Sequence, residues 1–150
     1  GEVDEVEPVA VDSLLAEAVE RFERAYPSVP VAVDVPESLT VFGSAALTEA
    51  FFQLLENAAV HNDAEQPQLS LTAVRPETPA ESVEVRIADN GPGIPAEEVA
   101  VIRRADEDQL NHGSGLGLWF VNWLVEGLGG SLEFETGDGT TVVVRLRSET

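Results

Sequence analysis

The spacing of apolar residues predicts three helices along the chain. Between residues 11 and 26, apolar side chains recur every three or four positions, which is the period of an amphipathic helix. A second helix is expected from an N-terminal cap at Ser44 to about residue 61, before the polar segment NDAEQP. A third segment, from about residue 114 to 126, is apolar nearly all round, so we expect a buried helix there.

Six short apolar or alternating segments predict strands between and after these helices. They are PVAVDV (30–35), LTVF (39–42), QLSLTAV (68–74), SVEVRIAD (82–89), SLEFET (131–136) and TTVVVRLR (140–147). The resulting order, α-β-β-α-β-β-α-β-β, requires the helices to cover one face of a sheet. The sequence therefore predicts an α+β two-layer sandwich, with a mixed, mostly antiparallel sheet and three main helices on one face.

Length and composition indicate one folded domain. The chain has 150 residues and an apolar fraction of 43%. We expect residues 1–11 to be a linker remnant and residues 12–150 to be the domain, taken from a longer protein because Gly1 is not a natural start. No apolar run approaches the roughly 18 residues that a membrane helix needs, so we expect no direct membrane contact. The lack of cysteine excludes disulfides and thiolate metal sites.

The charge is strongly acidic and spread over the whole length. There are 28 acidic and eight basic residues, all eight of them arginine, for a net charge of −20. Such a surface has little with which to neutralise phosphates, so nucleic acid binding is disfavoured. An acidic surface that meets a basic partner is one interpretation. Adaptation to molar salt is the other, and the diffuse placement of the acids and the absence of lysine favour it.

The segment HGSGLGL (112–118) places glycines at every second position just before the third helix. It is not a dinucleotide-binding fingerprint, because the required third glycine is Leu118 and no strand precedes it. Glycines still let backbone amides approach a phosphate closely at the N-terminus of a helix. The glycines alone leave open a phosphate loop or a hinge.

The segment DNGPGIP (89–95) follows an apolar strand. Asp89 ends that strand, so its carboxylate is expected to point into the interior or a pocket, where it needs a partner. An adenine amine would donate a hydrogen bond to it, whereas guanine would present an acceptor. Ordinary turn chemistry is the alternative interpretation. Near the end of the chain, the hydroxyl of Thr140 or Thr141 could reach the same pocket, or either threonine merely favours the strand.

The second helix carries a polar stripe of Gln53, Asn57 and His61, each four residues from the next. A solvated face would explain the stripe, but an amide oxygen is also a suitable ligand for Mg²⁺ that bridges to phosphates. Zinc is disfavoured, because the two histidines match no zinc spacing and no cysteine supports them.

Together these segments resemble the ATP-binding domain of sensor histidine kinases, in the gyrase, Hsp90, histidine kinase and MutL superfamily. The resemblance runs from about residue 12 to 147, and the wording GLGLWFVNW is similar to haloarchaeal members. It implies the Bergerat fold, ATP and Mg²⁺ as ligands, and a lid at 95–112. The nucleotide-binding residues it implies are Asn57, His61, Asp89, Gly91, Gly93, Ile94, Gly113, Ser114, Gly115, Leu116, Gly117, Leu118 and Thr140.

The resemblance also implies a role for several of these residues. Asn57 would coordinate Mg²⁺ between the phosphates, and Asp89 would bind the adenine amine, with Gly93 and Thr140 sharing a water there. The glycines of 113–117 would bring backbone amides to the phosphates. His61 stands where the family often has an aromatic ring beside adenine, so it is interpreted as packing.

Several positions depart from the family pattern. Hydrolysing members have a glutamate where this chain has Gln53, which cannot act as a base, so Gln53 favours phosphoryl transfer. Glu56 is the nearest carboxylate and a candidate for assisting transfer. Val60 replaces a common phosphate-binding lysine, and the lid has no phenylalanine. Arg103 and Arg104 are candidate substitutes as phosphate contacts.

The resemblance implies a cytoplasmic domain that phosphorylates a histidine on a separate dimerising helical hairpin, with a response regulator receiver domain downstream. Neither His61 nor His112 belongs to such a hairpin, so the isolated chain is expected to be monomeric and not to autophosphorylate. Two alternatives stay open. One is an anti-sigma-type serine kinase, suggested by NAAVH, and the other is a degenerate module in which nucleotide only tunes contacts with partners.

Overall fold

The computed structural model describes residues 6–60, 62, 64–75, 77–78, 82–91, 116–137 and 139–148. Three helices lie in these ranges: α1 (Val11–Ala25), α2 (Leu47–Val60) and α3 (Leu116–Gly127). The described strands are β1 (Glu7–Ala10), β2 (Val31–Asp34), β3 (Thr40–Gly43), β4 (Leu69–Val74), β5 (Ser82–Asp89), β6 (Ser131–Thr136) and β7 (Thr140–Arg147). None of the described helices has both the length and the apolar character that crossing a membrane requires.

The main sheet has five strands in the order β2-β4-β5-β7-β6. Strands β2 and β4 are parallel, and the other neighbouring pairs are antiparallel. The helices cover one face, so the predicted two-layer α+β architecture is confirmed. This topology places the ends of β5 and the start of β7 side by side, because Ala88 pairs with Thr141.

The core lies between the helices and one face of this sheet. Its fully buried side chains include Phe22 of α1, Phe51 of α2, Leu124 of α3 and Ile87 of β5. Each large apolar side chain that is removed from water contributes about 1.5–3 kcal/mol before conformational entropy is counted. The alternation of β5 leaves its odd-numbered residues on this face, so Asp89 follows Val85 and Ile87 toward the helices.

The structure describes a strand within the segment 1–11, which the sequence predicts to be a linker remnant. Glu7–Ala10 forms β1, which pairs antiparallel with β3 in a separate two-stranded sheet. Val11 is fully buried and begins α1. The four residues of this strand carry too little pattern to predict it, and their partners on β3 lie 30 to 36 residues away.

The segments 30–35 and 39–42 do form strands, but they do not pair with each other. Strand β2 joins the main sheet beside β4, whereas β3 pairs with β1. The connection between them is fastened to α1, since Asp12 accepts hydrogen bonds from the backbone N–H groups of Ser38 (3.1 Å) and Leu39 (3.0 Å). Strands β4 and β5 pair antiparallel with each other, and so do β6 and β7.

The face of the main sheet opposite the helices carries a charged network, which we call the ion ladder. It consists of Glu84, Arg86, Glu133, Glu135 and Arg145 on β5, β6 and β7. Glu84 contacts both arginines, at 2.9 Å to Arg86 and 3.1 Å to Arg145. Val143 pairs with Arg86 and Glu133 and is fully buried beneath the ladder. The ladder therefore covers apolar surface as well as pairing charges.

Candidate functional site

Asp89 is the last residue of β5, and its carboxylate is oriented by backbone donors. Its Oδ1 atom accepts the N–H of Gly91 at 2.8 Å and, more weakly, the N–H of Thr140 at 3.4 Å. The side chain is half-buried. Within the described part of the chain, the second oxygen of this carboxylate has no hydrogen bond, so it can accept one from a ligand.

The structure distinguishes between the two candidate threonines at the start of β7. Thr140 is 3% exposed and lies on the face that carries the core residues Val142 and Val144. Thr141 alternates to the opposite face, where it pairs with Ala88. Thr140 is therefore the threonine that adjoins Asp89 on the helix side of the sheet.

Gly139 lets the β6–β7 turn approach β5 closely. A Cβ atom at this position would lie 2.1 Å from the carbonyl oxygen of Asp89, a distance that no side chain tolerates. The turn is closed by a hydrogen bond from the N–H of Gly137 to the carbonyl of Gly139, at 3.0 Å. Glycine at 139 is thus required for the contact between Thr140 and Asp89.

Helix α2 carries Asn57 and the two candidates for a catalytic role, the amide of Gln53 and the carboxylate of Glu56. Asn57 is half-buried near the C-terminal end of the helix. Gln53 donates to Glu49 at 3.1 Å, and Glu49 pairs with Arg21 of α1. Both Gln53 and Glu49 therefore take part in contacts on the α1 side of the helix.

Glu56 is also engaged with α1. The hydroxyl of Tyr26 donates to its Oε2 atom at 2.9 Å. This hydrogen bond, followed by burial and by the negative charge of Glu56, raises the pKa of Tyr26 above its ordinary value. The contacts of Gln53 and Glu56 give both side chains a role in helix packing, and their proposed part in catalysis stays a prediction.

The end of α2 is linked to the DNG turn by two asparagines. Asn62 donates from Nδ2 to Oδ1 of Asn90 at 2.8 Å. The same Asn90 oxygen accepts the N–H of Gln68 at 2.9 Å, and Asn90 Nδ2 donates to the carbonyl of Gln66 at 3.0 Å. Gly91 is buried against Asn62, since an added Cβ would lie 3.0 Å from Asn62 Cγ. These contacts hold the turn after Asp89 against the end of α2.

The remaining predicted site residues lie partly or wholly outside the described ranges. His61, Gly93, Ile94, Gly113, Ser114 and Gly115, the lid at 95–112, Arg103 and Arg104 all fall there. For Leu116 and Gly117, the structure describes the helical backbone at the start of α3. Leu118 follows on α3 and is 4% exposed, so it belongs to the core beneath this helix.

Among the described residues, no group of three or more histidine, aspartate and glutamate side chains is arranged to hold a metal ion. Asp89 presents an oriented carboxylate at the end of β5, and Asn57 carries an amide on α2. The amide oxygen suits a cation that takes its other ligands from the phosphates of a bound molecule. The carboxylate suits a hydrogen-bond donor on the same molecule.

Sequence reasoning missed three residues around Asp89: Asn62, Asn90 and Gly139. The two asparagines stand in segments that are typical of polar turns, and Gly139 stands in a GDG hairpin turn. Asn62 and Asn90, which contact each other, are 28 residues apart in the chain. A local pattern carries no signal for such a contact.

A helix layer on a mixed sheet, with a carboxylate at the end of β5 and an asparagine on α2, defines a protein of the Bergerat ATP-binding class. The family model of histidine kinase-, DNA gyrase B- and HSP90-like ATPases matches residues 43–150. The chain is 32% identical to the sensor-type histidine kinase PrrB of Mycobacterium leprae (strain TN) over 149 residues, which is 95% of this chain and 32% of that protein.

Solved structures agree. The ATP-binding domain of PrrB from Mycobacterium tuberculosis superimposes with a TM-score of 0.78 at 28% identity, over 98% of this chain and 100% of that one. The mycobacterial sensor histidine kinase MprB gives a TM-score of 0.75 at 26% identity, over 95% of this chain and 100% of that one. The chain therefore belongs to the family of histidine kinase-, DNA gyrase B- and HSP90-like ATPases, and it corresponds to the ATP-binding catalytic domain of sensor histidine kinases. It spans about a third of the length of the curated relatives it matches.

Proposed function

We propose that this domain binds Mg-ATP and donates the γ-phosphoryl group to a histidine on a separate helical hairpin of its parent kinase. The observation that carries the proposal is the Asp89 carboxylate, which is fixed through Oδ1 by two backbone N–H groups and can accept a hydrogen bond at its other oxygen. A carboxylate held in this way recognises a donor at a defined position. The exocyclic amine of adenine is such a donor, and the O6 acceptor of guanine is not.

We assign the phosphate end of the nucleotide to Asn57 and to the glycine-rich segment 112–118. The Asn57 amide oxygen would be a protein ligand of Mg²⁺, which when bound neutralises charge on the phosphates. Gly113, Gly115 and Gly117 precede or begin α3, so their backbone amides would contact phosphate oxygens at a helix N-terminus. Phosphoryl transfer depends mainly on such positioning and charge stabilisation.

The contacts of α2 favour transfer to a protein acceptor over hydrolysis. Activation of water requires a base near the γ-phosphate. The residue one turn before Asn57 is Gln53, which donates to Glu49, and the carboxylate of Glu56 accepts a hydrogen bond from Tyr26. Neither side chain is placed as a free base, so a histidine acceptor in a partner domain suits this site better than water.

The partners and setting of the domain follow from the same proposal. A dimerising phosphoacceptor hairpin would supply the histidine, and a response regulator receiver domain would take the phosphoryl group from it. The first step consumes ATP, which assigns the domain to the cytoplasm, and the second moves the same phosphoryl group from the histidine to the receiver domain. We also propose adaptation to molar salt, of the kind found in haloarchaea, on the basis of the net charge of −20 and the absence of lysine. The relatives described above are mycobacterial, so this origin rests on composition alone.

The test is phosphoryl transfer in trans. The phosphoacceptor hairpin of the parent kinase would be supplied as a separate polypeptide with γ-labelled ATP, Mg²⁺ and this domain. Labelling of the hairpin histidine is expected, and both Asp89→Asn and Asn57→Ala should abolish it. ATP binding without labelling would instead support the degenerate module, in which nucleotide only tunes contacts with partners.

A further inference from the structure

The link between α2 and the turn after Asp89 consists of contacts that all pass through two side chains. Asn62 uses both ends of its amide: Nδ2 donates to Asn90 at 2.8 Å, and Oδ1 accepts the N–H of Ala64 at 2.9 Å. Asn90 in turn bonds to the backbone of Gln66 and Gln68. The backbone N–H of Asn62, two residues beyond α2, donates to the carbonyl of Ala59 at 3.3 Å.

Asn62 also limits where Gly91 can lie. An added Cβ on Gly91 would come within 3.2 Å of three Asn62 atoms, including its Cα. The N–H of Gly91 is the shorter of the two backbone hydrogen bonds to Asp89 Oδ1, at 2.8 Å against 3.4 Å for Thr140. The position of the Asp89 carboxylate therefore depends on Gly91, and the position of Gly91 depends on Asn62.

We infer that Asn62 is a positioning residue for nucleotide binding, which sets the Asp89 carboxylate relative to the α2 helix that carries Asn57. This inference rests on the proposed function. Because Asn62 lies two residues beyond α2 and five after Asn57, its bond to Asn90 links the adenine end of the site to the magnesium end. A ligand that contacts both ends then meets them at a fixed separation, which lowers the cost of ordering the site on binding.

The experiment combines two readouts on the same variants. Calorimetry measures the dissociation constant of Mg-ATP, and amide NMR measures the Gly91 N–H signal without nucleotide. In Asn62→Ala, Mg-ATP affinity should fall roughly tenfold, as expected for the loss of one to two hydrogen bonds, and the Gly91 signal should move toward the shift of an amide without an acceptor. Asn62→Asp keeps the acceptor for Ala64 but sets a carboxylate oxygen against the acceptor Oδ1 of Asn90, so its loss of affinity should be at least as large as that of Asn62→Ala.

The matched control is Asp12→Ala, which removes two side-chain contacts to backbone N–H groups between α1 and the β2–β3 connection. It should lower the stability of the fold while leaving Mg-ATP affinity and the Gly91 signal unchanged. The inference is overturned if Asn62→Ala binds Mg-ATP within twofold of wild type, if its Gly91 signal is unmoved, or if Asp12→Ala gives the same loss. If the wild-type domain bound no ATP, the proposed function would fail, while the Gly91 signal would still test whether Asn62 positions Asp89.

Discussion

At the scale of the residue, two glycines allow the segments around Asp89 to pack closely. Gly139 allows the β6–β7 turn to touch the Asp89 backbone, and Gly91 allows the DNG turn to pack on Asn62. In both cases steric room matters, since a Cβ would meet backbone or a side chain held by hydrogen bonds. The resulting geometry fixes one oxygen of Asp89, and we propose that the other receives the ligand.

The variant Gly139→Ala tests this steric requirement. The new Cβ would lie 2.1 Å from the Asp89 carbonyl oxygen, so the turn must move. We expect a loss of about 1–3 kcal/mol in the free energy of unfolding, as for other overpacked positions, and weaker ATP binding because Thr140 moves with the turn. Urea denaturation and calorimetry would measure the two effects.

Gly137→Ala is the matched control in the same hairpin. No atom lies within 4 Å of a Cβ added there, and the residue is exposed. Its free energy of unfolding should change by less than about 0.5 kcal/mol. Equal losses in the two variants would show that turn flexibility, and not the contact with Asp89, sets the requirement.

The sequence was sufficient to single out Asp89 and to leave Thr140 and Thr141 as alternatives, but it did not indicate the residues that position them. Asp89 ends an apolar strand, and strand alternation determines which face its carboxylate and the Thr140 side chain occupy. Asn62 and Asn90 differ in no local respect from asparagines in ordinary turns. Their role depends on how α2 and β5 pack together, which neither segment specifies alone.

At the scale of the element, the ion ladder ties three strands together on the face away from the helices. Hydrogen bonding to Arg86, with further attraction from the charges of Arg86 and Arg145, lowers the pKa of Glu84 below its ordinary value of 4.5, although burial acts in the opposite direction. Hydrogen bonding to Glu84 and Glu135 raises the pKa of Arg86, and hydrogen bonding chiefly to Glu133 raises the pKa of Arg145. Because Glu84 contacts both arginines, it is the centre of the ladder.

Stability should therefore depend on the protonation of Glu84. Since its pKa is lower in the folded state, the folded protein binds fewer protons, and the ladder contributes fully above pH 4.5. This contribution is lost as the pH falls through the lowered folded-state pKa. In Glu84→Gln, the free energy of unfolding near neutral pH should fall by about 0.5–1 kcal/mol, as for partly exposed ion pairs, and the decline in acid should be shallower.

Glu135→Gln provides the comparison for Glu84→Gln. Within the described residues, Glu135 pairs with Arg86 alone, and its side chain is 53% exposed. The free energy of unfolding, measured by urea denaturation at pH 7, should fall less in Glu135→Gln than in Glu84→Gln. Acid profiles that are identical in wild type and Glu84→Gln would contradict the assigned role of the ladder.

Helices and strands were predicted correctly where the patterned segment was long, and β1 was missed because its segment is short. The helical spacing of residues 11–26 predicts α1 to within one residue of its observed end at Ala25. The four residues of β1 carry two apolar positions in an acidic stretch, which is too little for a strand signal. The separate pairing of β2 and β3 could not be predicted, since each partner is chosen by contacts distant in the chain.

At the scale of the whole molecule, charge is the dominant feature. A net charge of −20 on 150 residues produces self-repulsion that salt screens, with a Debye length of about 3 Å at 1 M. The exposed acids of α1, such as Glu17 and Glu23, belong to this surface. The composition alone is enough to predict that salt stabilises the folded protein.

The melting temperature should therefore rise by several degrees between 0.1 and 2 M KCl, since about 1 kcal/mol corresponds to roughly 4 °C in a domain of this size. Thermal denaturation followed by circular dichroism would measure it. The double variant Glu17→Gln, Glu23→Gln should need less salt to reach the same temperature. A melting temperature that is unchanged or falls with KCl would rule out adaptation to molar salt.

The most direct test of the ATP site is a calorimetric titration of ATP into this domain, with Mg²⁺ in molar KCl, alongside GTP and the Asp89→Asn variant. Binding of ATP but not GTP, lost in Asp89→Asn while the variant stays folded, is the predicted result. Equal binding of the two nucleotides, or ATP binding that survives Asp89→Asn, would contradict adenine recognition by Asp89. A folded wild-type protein that binds neither nucleotide would contradict the ATP site itself.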